Sequence, residues 1–310
     1  MPIDAGQIQR AHELLARHFD RTPLVRAESL STPDRTVYMK DETVLPTGSF
    51  KVRGAIYALS VNLARAPIKE VVAASTGNHG AAVAFAGKLL GVPVRVFLPR
   101  NPNPAKVVRI RQQGATIVEA GSDLTAAIDA AGEYVARTRA FFLHDASDPD
   151  IPAGTATIGA EILEQLPAVD VAYIPIGDTA LIRGVATALK MSARPIHIVG
   201  VVAAKAPAYY LSWKAGQVVE TESADTIADG LAVRRPLATN VASLRDLVDE
   251  VVTVSEDEMI DAVARLRSNE RLVAEPSGAA ACAALIKDGK KAGNCVALVT
   301  GCNARPPFPA

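Results

Sequence analysis

Cysteine is scarce. The chain has three in 310 residues, Cys282, Cys295 and Cys302, odd in number and without the spacing of metal ligands. That argues against a disulfide framework or a thiolate zinc site. It predicts reduced thiols in a cytosolic protein, with Cys282 and Cys295 as packing residues. An excess of one charge is lacking too: 33 Lys plus Arg balance 33 Asp plus Glu. Nucleic-acid binders normally carry a basic surplus to neutralise phosphates, so no nucleic-acid partner is expected, and nothing recommends an anionic membrane surface. No apolar run reaches the ~18 residues of a membrane span; the longest are broken by Gly, Pro or charge. The opening MPIDAGQIQRAHELLARHF is amphipathic without an apolar core segment, so no signal peptide is expected. No strand is followed by G-x-G-x-x-G with an acidic residue beyond it, which argues against a nicotinamide enzyme. Internal repeats and low-complexity linkers are also absent.

What is present is a regular alternation of two periods. Short β-rich runs, TVYM, EVVAAS, VRVFLP, ATIVEA, DVAYIPI, IHIVGVV, EVVTV and CVALVT, are separated by segments of helical spacing. In the first helix Ile8, Ala11, Leu15 and Phe19 share a face and Asp4 can cap the start. Ser255 and Glu258 form a capping box before another helix. Strands such as VAYIPI are nearly continuous apolar runs, as sheets buried on both faces require. The expectation is an α/β protein of two doubly wound domains with mainly parallel sheets. A small domain spans 48–141, and a large one comprises 1–47 and 142–310.

Ligands of such sheets bind beyond the carboxyl ends of the strands, and four loops there stand out. Ser75, Thr76, Gly77, Asn78 and His79 open a helix after EVVAA; they are either a plain cap or an anion seat made of free amides and the helix dipole. Gly177, Asp178, Thr179, Ala180 and Leu181 open another after DVAYIP. This is a plausible phosphate cradle, against which Asp178 speaks unless its carboxylate points away. Thr300 ends the last apolar run, either in a terminal turn or with its hydroxyl facing a cleft. Glu275 precedes Pro276 and Ser277, either as a solvated charge at a helix start or facing the cleft.

The ordered set PTGSFKVRGA, STGNHG, L-I-x-G, ADGLAV, EPSGA and TGCN resembles the serine/threonine dehydratases, pyridoxal-phosphate enzymes of the tryptophan synthase β fold. The resemblance runs from Arg21 to Asn303. It implies that Lys51 carries the Schiff base to pyridoxal 5'-phosphate, with Phe50 beside the ring and Asn78 on its 3-oxygen. Gly177, Asp178, Thr179, Ala180 and Leu181 would hold the phosphate. Thr300 would meet the pyridine nitrogen, and Gly230 and Glu275 would line the cofactor's edge. Ser75, Thr76, Asn78 and His79 would surround the carboxylate of an amino acid substrate, with Thr76 also in catalysis. The reaction implied is loss of water and ammonia from a β-hydroxy amino acid to give a 2-oxo acid, in a cytoplasmic homodimer.

Three departures qualify the resemblance. GDTAL replaces the family's run of glycines, so Asp178 must turn outward for a phosphate to sit there. Thr76 stands where the racemases of the family place serine, so elimination is expected over racemization. Val202, Ala206 and Ala208 replace acidic metal ligands, so no divalent metal is expected. Ala156, where the family favours glycine, is a minor change. The chain ends soon after TGCN, which predicts no C-terminal regulatory domain. Other outcomes on the same scaffold are a replacement enzyme like threonine synthase, a racemase, or a binding protein without catalysis.

Overall fold

The computed structural model describes residues 3–75, 77–102, 104–289 and 291–304. In chain order its strands are β1 (Leu24–Arg26), β2 (Arg35–Asp41), β3 (Val71–Ala74), β4 (Val94–Leu98), β5 (Thr116–Glu119), β6 (Phe141–Phe142), β7 (Val171–Pro175), β8 (His197–Ala203), β9 (Glu250–Val254) and β10 (Gly293–Val299). Its helices are α1 (Ala5–Leu15), α2 (Lys51–Arg65), α3 (Asn78–Leu90), α4 (Pro104–Gln112), α5 (Leu124–Thr138), α6 (Ile151–Gln165), α7 (Ala180–Lys190), α8 (Ala208–Ala215), α9 (Ala238–Leu247), α10 (Glu256–Glu270) and α11 (Pro276–Lys287).

Two sheets result. One has six strands in the order β1-β2-β10-β7-β8-β9, and the other has four in the order β5-β4-β3-β6. Every pairing is parallel except β1 with β2. The strand period of two explains how each sheet is buried. In β8, Val199, Val201 and Ala203 feed one core while Ile198 and Val202 feed the other. In β10, Cys295, Ala297 and Val299 face the first core, and Val296 and Leu298 the second. The small sheet divides likewise, with Val71 and Ala73 on one side of β3 and Val72 on the other.

The eight anticipated strands all form. β1 and β6 were not anticipated, because three and two residues are too short to display a period. Asp4 and Ser255 both make capping boxes, with Gln7 and Glu258. Phe19 lies past the end of α1 and instead packs, partly buried, against the core of the small sheet. Burial pushes the thiols of Cys282 and Cys295 up, to about 12 and about 11, as expected of packing residues.

Helix α2 is fixed between the sheets by a buried ionic group. Arg53 is 1% exposed. It donates from Nε to Glu42 Oε2 (2.7 Å), and from Nη1 to Glu161 Oε1 (2.6 Å) and Thr157 Oγ1 (3.0 Å). Lys40, also buried, donates to Glu161 Oε2 (2.6 Å) and to the Thr22 carbonyl (2.8 Å). Two cations and two carboxylates balance, and these bonds tie α2 to β2 and α6.

Candidate active site

The turn before Lys51 is held by the loop that follows β10. The Phe50 amide donates to the Thr300 carbonyl (3.1 Å), and the Cys302 amide to the Gly48 carbonyl (3.0 Å). Ser49 and Gly301 form an isolated antiparallel bridge. Gly48 turns the chain at φ 66°, a left-handed conformation that glycine adopts without strain. A Cβ at Gly301 would lie 2.6 Å from Glu275 Oε1 and 3.2 Å from Ser49 Cβ, so the Glu275 carboxylate would have to shift. The motifs at 46–55 and 300–303, far apart in sequence, are therefore one structural unit. Lys51 is the first residue of α2, which starts there.

Lys51 Nζ pairs with Asp145 Oδ2 and lies 5.1 Å from the centre of the Phe50 ring. Asn78 opens α3 with its side chain engaged on both ends: Nδ2 donates to Glu275 Oε1 (2.5 Å) and Oδ1 accepts from Asn303 Nδ2 (2.8 Å). One hydrogen of the Asn78 amide remains for a ligand. The Ser75 hydroxyl accepts from the Gly77 amide (2.9 Å), which shapes the turn into α3. His79 is buried; its Nε2 donates to the Leu143 carbonyl (2.9 Å) and its Nδ1 lies 3.6 Å from Asp145 Oδ1. Burial pushes the His79 imidazole below its usual range against the pull of Asp145. Thr76 lies outside the described residues.

The 177–181 loop enters α7 from the opposite wall. Gly177 packs on the backbone of Gly230, where a Cβ would stand 2.3 Å from the carbonyl oxygen. Thr179 is the N-cap residue of α7 with φ 69°, and its Oγ1 is buried without a hydrogen-bond partner. Gly177→Ala should therefore push the two loops apart at a cost of about 1–3 kcal/mol. Its melting temperature and its cofactor affinity should fall together, which thermal denaturation and titration check.

Phe50, Lys51, Ser75, Asn78, His79, all five residues from Gly177 to Leu181, Gly230, Glu275 and Thr300 line a single pocket. Asp178 departs from expectation: it lines this pocket rather than turning away. Burial pushes its carboxyl up, and the charge of Asp145 adds to the shift while Lys51 opposes it. Asp145 goes the other way, down to about 2: burial would raise it, but the charges of Lys51 and His79 outweigh that penalty. Burial pushes Glu275 up, partly offset by Lys106.

Three pocket residues, Asp145, Lys106 and Asp229, had no signal in the four loops. Asp145 follows a strand of only two residues, so no strand end directed attention to it. Lys106 reaches from α4 to Asp229 Oδ2 (2.6 Å) and stands 3.7 Å from Glu275 Oε2. It lies across Gly77, where a Cβ would come within 2.0 Å of Lys106 Cδ. A lysine in the first turn after Pro104 was the available hint; its partner Asp229 adjoins Gly230 in ADGLAV.

Two mainly parallel α/β sheets thus bring their strand-end loops around one pocket that holds Lys51 and Lys106. The chain belongs to the family of pyridoxal-phosphate dependent enzymes, whose model matches residues 15–301. The L-threonine ammonia-lyase of Geobacter sulfurreducens is 39% identical over 283 residues, 90% of this chain and 70% of that protein. The solved processed form of threonine deaminase isoform 2 from Solanum lycopersicum superposes with a TM-score of 0.89 at 31% identity, covering 99% of this chain and 87% of that one. Maize serine racemase does so with a TM-score of 0.93 at 29% identity, covering 99% and 95%.

The pocket fits pyridoxal phosphate. The unpartnered hydroxyl of Thr179, at the amino end of an 11-residue helix, is a donor awaiting an anion. Asp178 is the discordant group. Burial and the charge of Asp145 push its carboxyl up, a direction that lessens the repulsion a phosphate would meet there.

Proposed function

We propose that this chain is an ammonia-lyase that removes water and ammonia from a β-hydroxy amino acid of the threonine type. The observation that carries the reading is the convergence of Lys51, the amino ends of α3 and α7 and the unpartnered hydroxyl of Thr179 on a single pocket. The threonine ammonia-lyase similarity over most of the chain supports the substrate class.

In this reading Lys51 would hold the cofactor covalently and would be the group placed to take the proton from the substrate α-carbon. The bound cofactor supplies the electron sink for that proton's removal. The amides of α3, with Ser75, Thr76, Asn78 and His79, orient the substrate carboxylate. Phe50 would flank the ring, the free hydrogen of Asn78 would be available to its 3-oxygen, and Gly230 and Glu275 would bound its edge. The α7 loop, with Thr179 donating, anchors the phosphate. Thr300 would meet the pyridine nitrogen as a neutral hydroxyl, which would supply no formal charge there. A neutral partner of this kind would favour loss of the β-hydroxyl. Residues 48–141 form the domain that carries Lys51 and the carboxylate seat, a division that the separate four-stranded sheet supports. We assign the protein to the cytoplasm, which its free thiols support, and to a homodimer, which the family resemblance supports.

The test is a panel of β-hydroxy amino acids assayed for both 2-oxo acid and ammonia. Equal release of the two from threonine or serine is the expected result. Inversion of the α-carbon without 2-oxo acid would overturn the lyase reading. Thr179→Val tests the phosphate seat: losing a hydrogen bond to a charged group costs about 1.5–3 kcal/mol, roughly 10- to 150-fold in Kd for pyridoxal phosphate. Affinity for unphosphorylated pyridoxal should be unchanged, which a parallel titration checks.

A further inference from the structure

We propose that Asp145 is a positioning residue for Lys51, holding the free ammonium in the pocket and passing its charge partnership to His79 when Lys51 is taken up by the cofactor. The inference rests on the reading of Lys51 as the cofactor-bearing amine.

Three separate segments meet at one carboxylate. Lys51 begins α2, His79 is the second residue of α3, and Asp145 lies in the connection from β6 to α6. Asp145 Oδ2 accepts from Lys51 Nζ. Its Oδ1 is buried with no hydrogen-bond partner and faces His79 Nδ1 at 3.6 Å. The His79 ring is fixed from behind, because Nε2 donates to the carbonyl of Leu143, two residues before Asp145. That bond places the hydrogen of neutral His79 on Nε2, so a lone pair at Nδ1 confronts a carboxylate oxygen. A proton on Nδ1 converts this opposed pair into a charge-assisted hydrogen bond.

The free amine of Lys51 must lose a proton before it can attack a carbonyl carbon. Asp145 is the acceptor in contact, but its carboxylate is held low by the same lysine. His79 Nδ1, on the far oxygen of that carboxylate, is the next base. In the transfer an Nζ–H bond breaks, an Nδ1–H bond forms, and the net charge of the three residues is unchanged. Asp145 then keeps a cationic partner, where otherwise a buried carboxylate would be left alone, a costly state. The other ionisable groups bearing on the trio are His144, Asp178 and Arg183. None of them makes a hydrogen bond to Asp145 among the described residues.

The experiment uses full-length protein labelled with 15N in its histidines, before and after saturation with pyridoxal phosphate, with the His79 signal assigned by its loss in His79→Gln. In the wild type, Nδ1 of His79 should move from an unprotonated to a protonated shift on loading. In Asp145→Asn it should stay unprotonated, and Lys51 should react with trinitrobenzenesulfonate about tenfold faster before loading, having lost its counter-ion. Asp145→Glu should restore both behaviours in part. An unchanged His79 signal on loading of the wild type overturns the proposal, and this arm needs no variant to fold. Equal Lys51 reactivity in folded Asp145→Asn also overturns it. Borohydride labelling separates the two readings. If Lys51 takes the cofactor label while His79 stays silent, only the role of Asp145 fails; if Lys51 takes no label, the reading of Lys51 itself fails.

Discussion

Lys51→Ala should abolish 2-oxo acid release while leaving the protein folded. Losing a positioned proton-transfer group alone costs about 10²- to 10⁴-fold, and losing the covalent link adds to that. The substitution sits at the first residue of α2, where alanine is a good helix former, so circular dichroism should be unchanged. Pyridoxal phosphate should still bind weakly through the α7 loop, because the phosphate seat does not include Lys51. The visible absorbance of lysine-bound cofactor should vanish. Full activity in Lys51→Ala would show that another amine does this work. The two buried lysines among the described residues are engaged elsewhere, Lys106 with Asp229 and Lys40 with Glu161.

Arg53→Ala should have the largest effect on stability. Arg53 lies two residues beyond Lys51, yet on the buried side of α2. Burial disfavours its charge, but Glu42 and Glu161 outweigh that and push its guanidinium up. Truncation leaves Glu42 and Glu161 with only Lys40 for compensation. Breaking a buried ion pair from one side costs about 3–5 kcal/mol. In a chain of this size that is roughly 5–8 °C in melting temperature. Thermal unfolding by circular dichroism checks it. Arg53→Lys should recover little, because an ammonium cannot span both carboxylates as the guanidinium fork does. Adding Glu42→Gln to Arg53→Ala should restore part of the loss by removing an unpaired charge. A melting temperature within a degree of wild type in Arg53→Ala would contradict the assignment of this group as the anchor of α2. The activity of the variant links fold to site, since Lys51 rides on the same first turn.

Much of this was legible in the sequence for physical reasons. A sheet buried on both faces demands continuous apolar strands, and VAYIPI and IHIVGVV announce themselves as such. Helix-opening turns rich in Gly, Ser, Thr and Asn announce amides free for an anion, and Ser75, Asn78 and His79 of one such turn line one pocket with 177–181 of the other. The pairing of Ser49 with Gly301 was not legible, because nothing local to either loop encodes the other. Asp145 and Lys106 were missed for a related reason. Their importance lies in partners 94 and 123 positions away, Lys51 and Asp229, and a two-residue strand gives no pattern to read. Asp178 belongs outside the pocket only if repulsion between phosphate and carboxylate is taken alone, one charge at a time. The structure sets it among Asp145, Lys51, His144 and Arg183, and burial together with the charge of Asp145 pushes its carboxyl up despite the cations.

The most direct measurement is reduction of the cofactor-loaded wild type with borohydride, followed by peptide mapping of the pyridoxyl label. The account predicts one labelled lysine, Lys51, at one cofactor per chain. A label on Lys106 or any other lysine, or none at all, would contradict it.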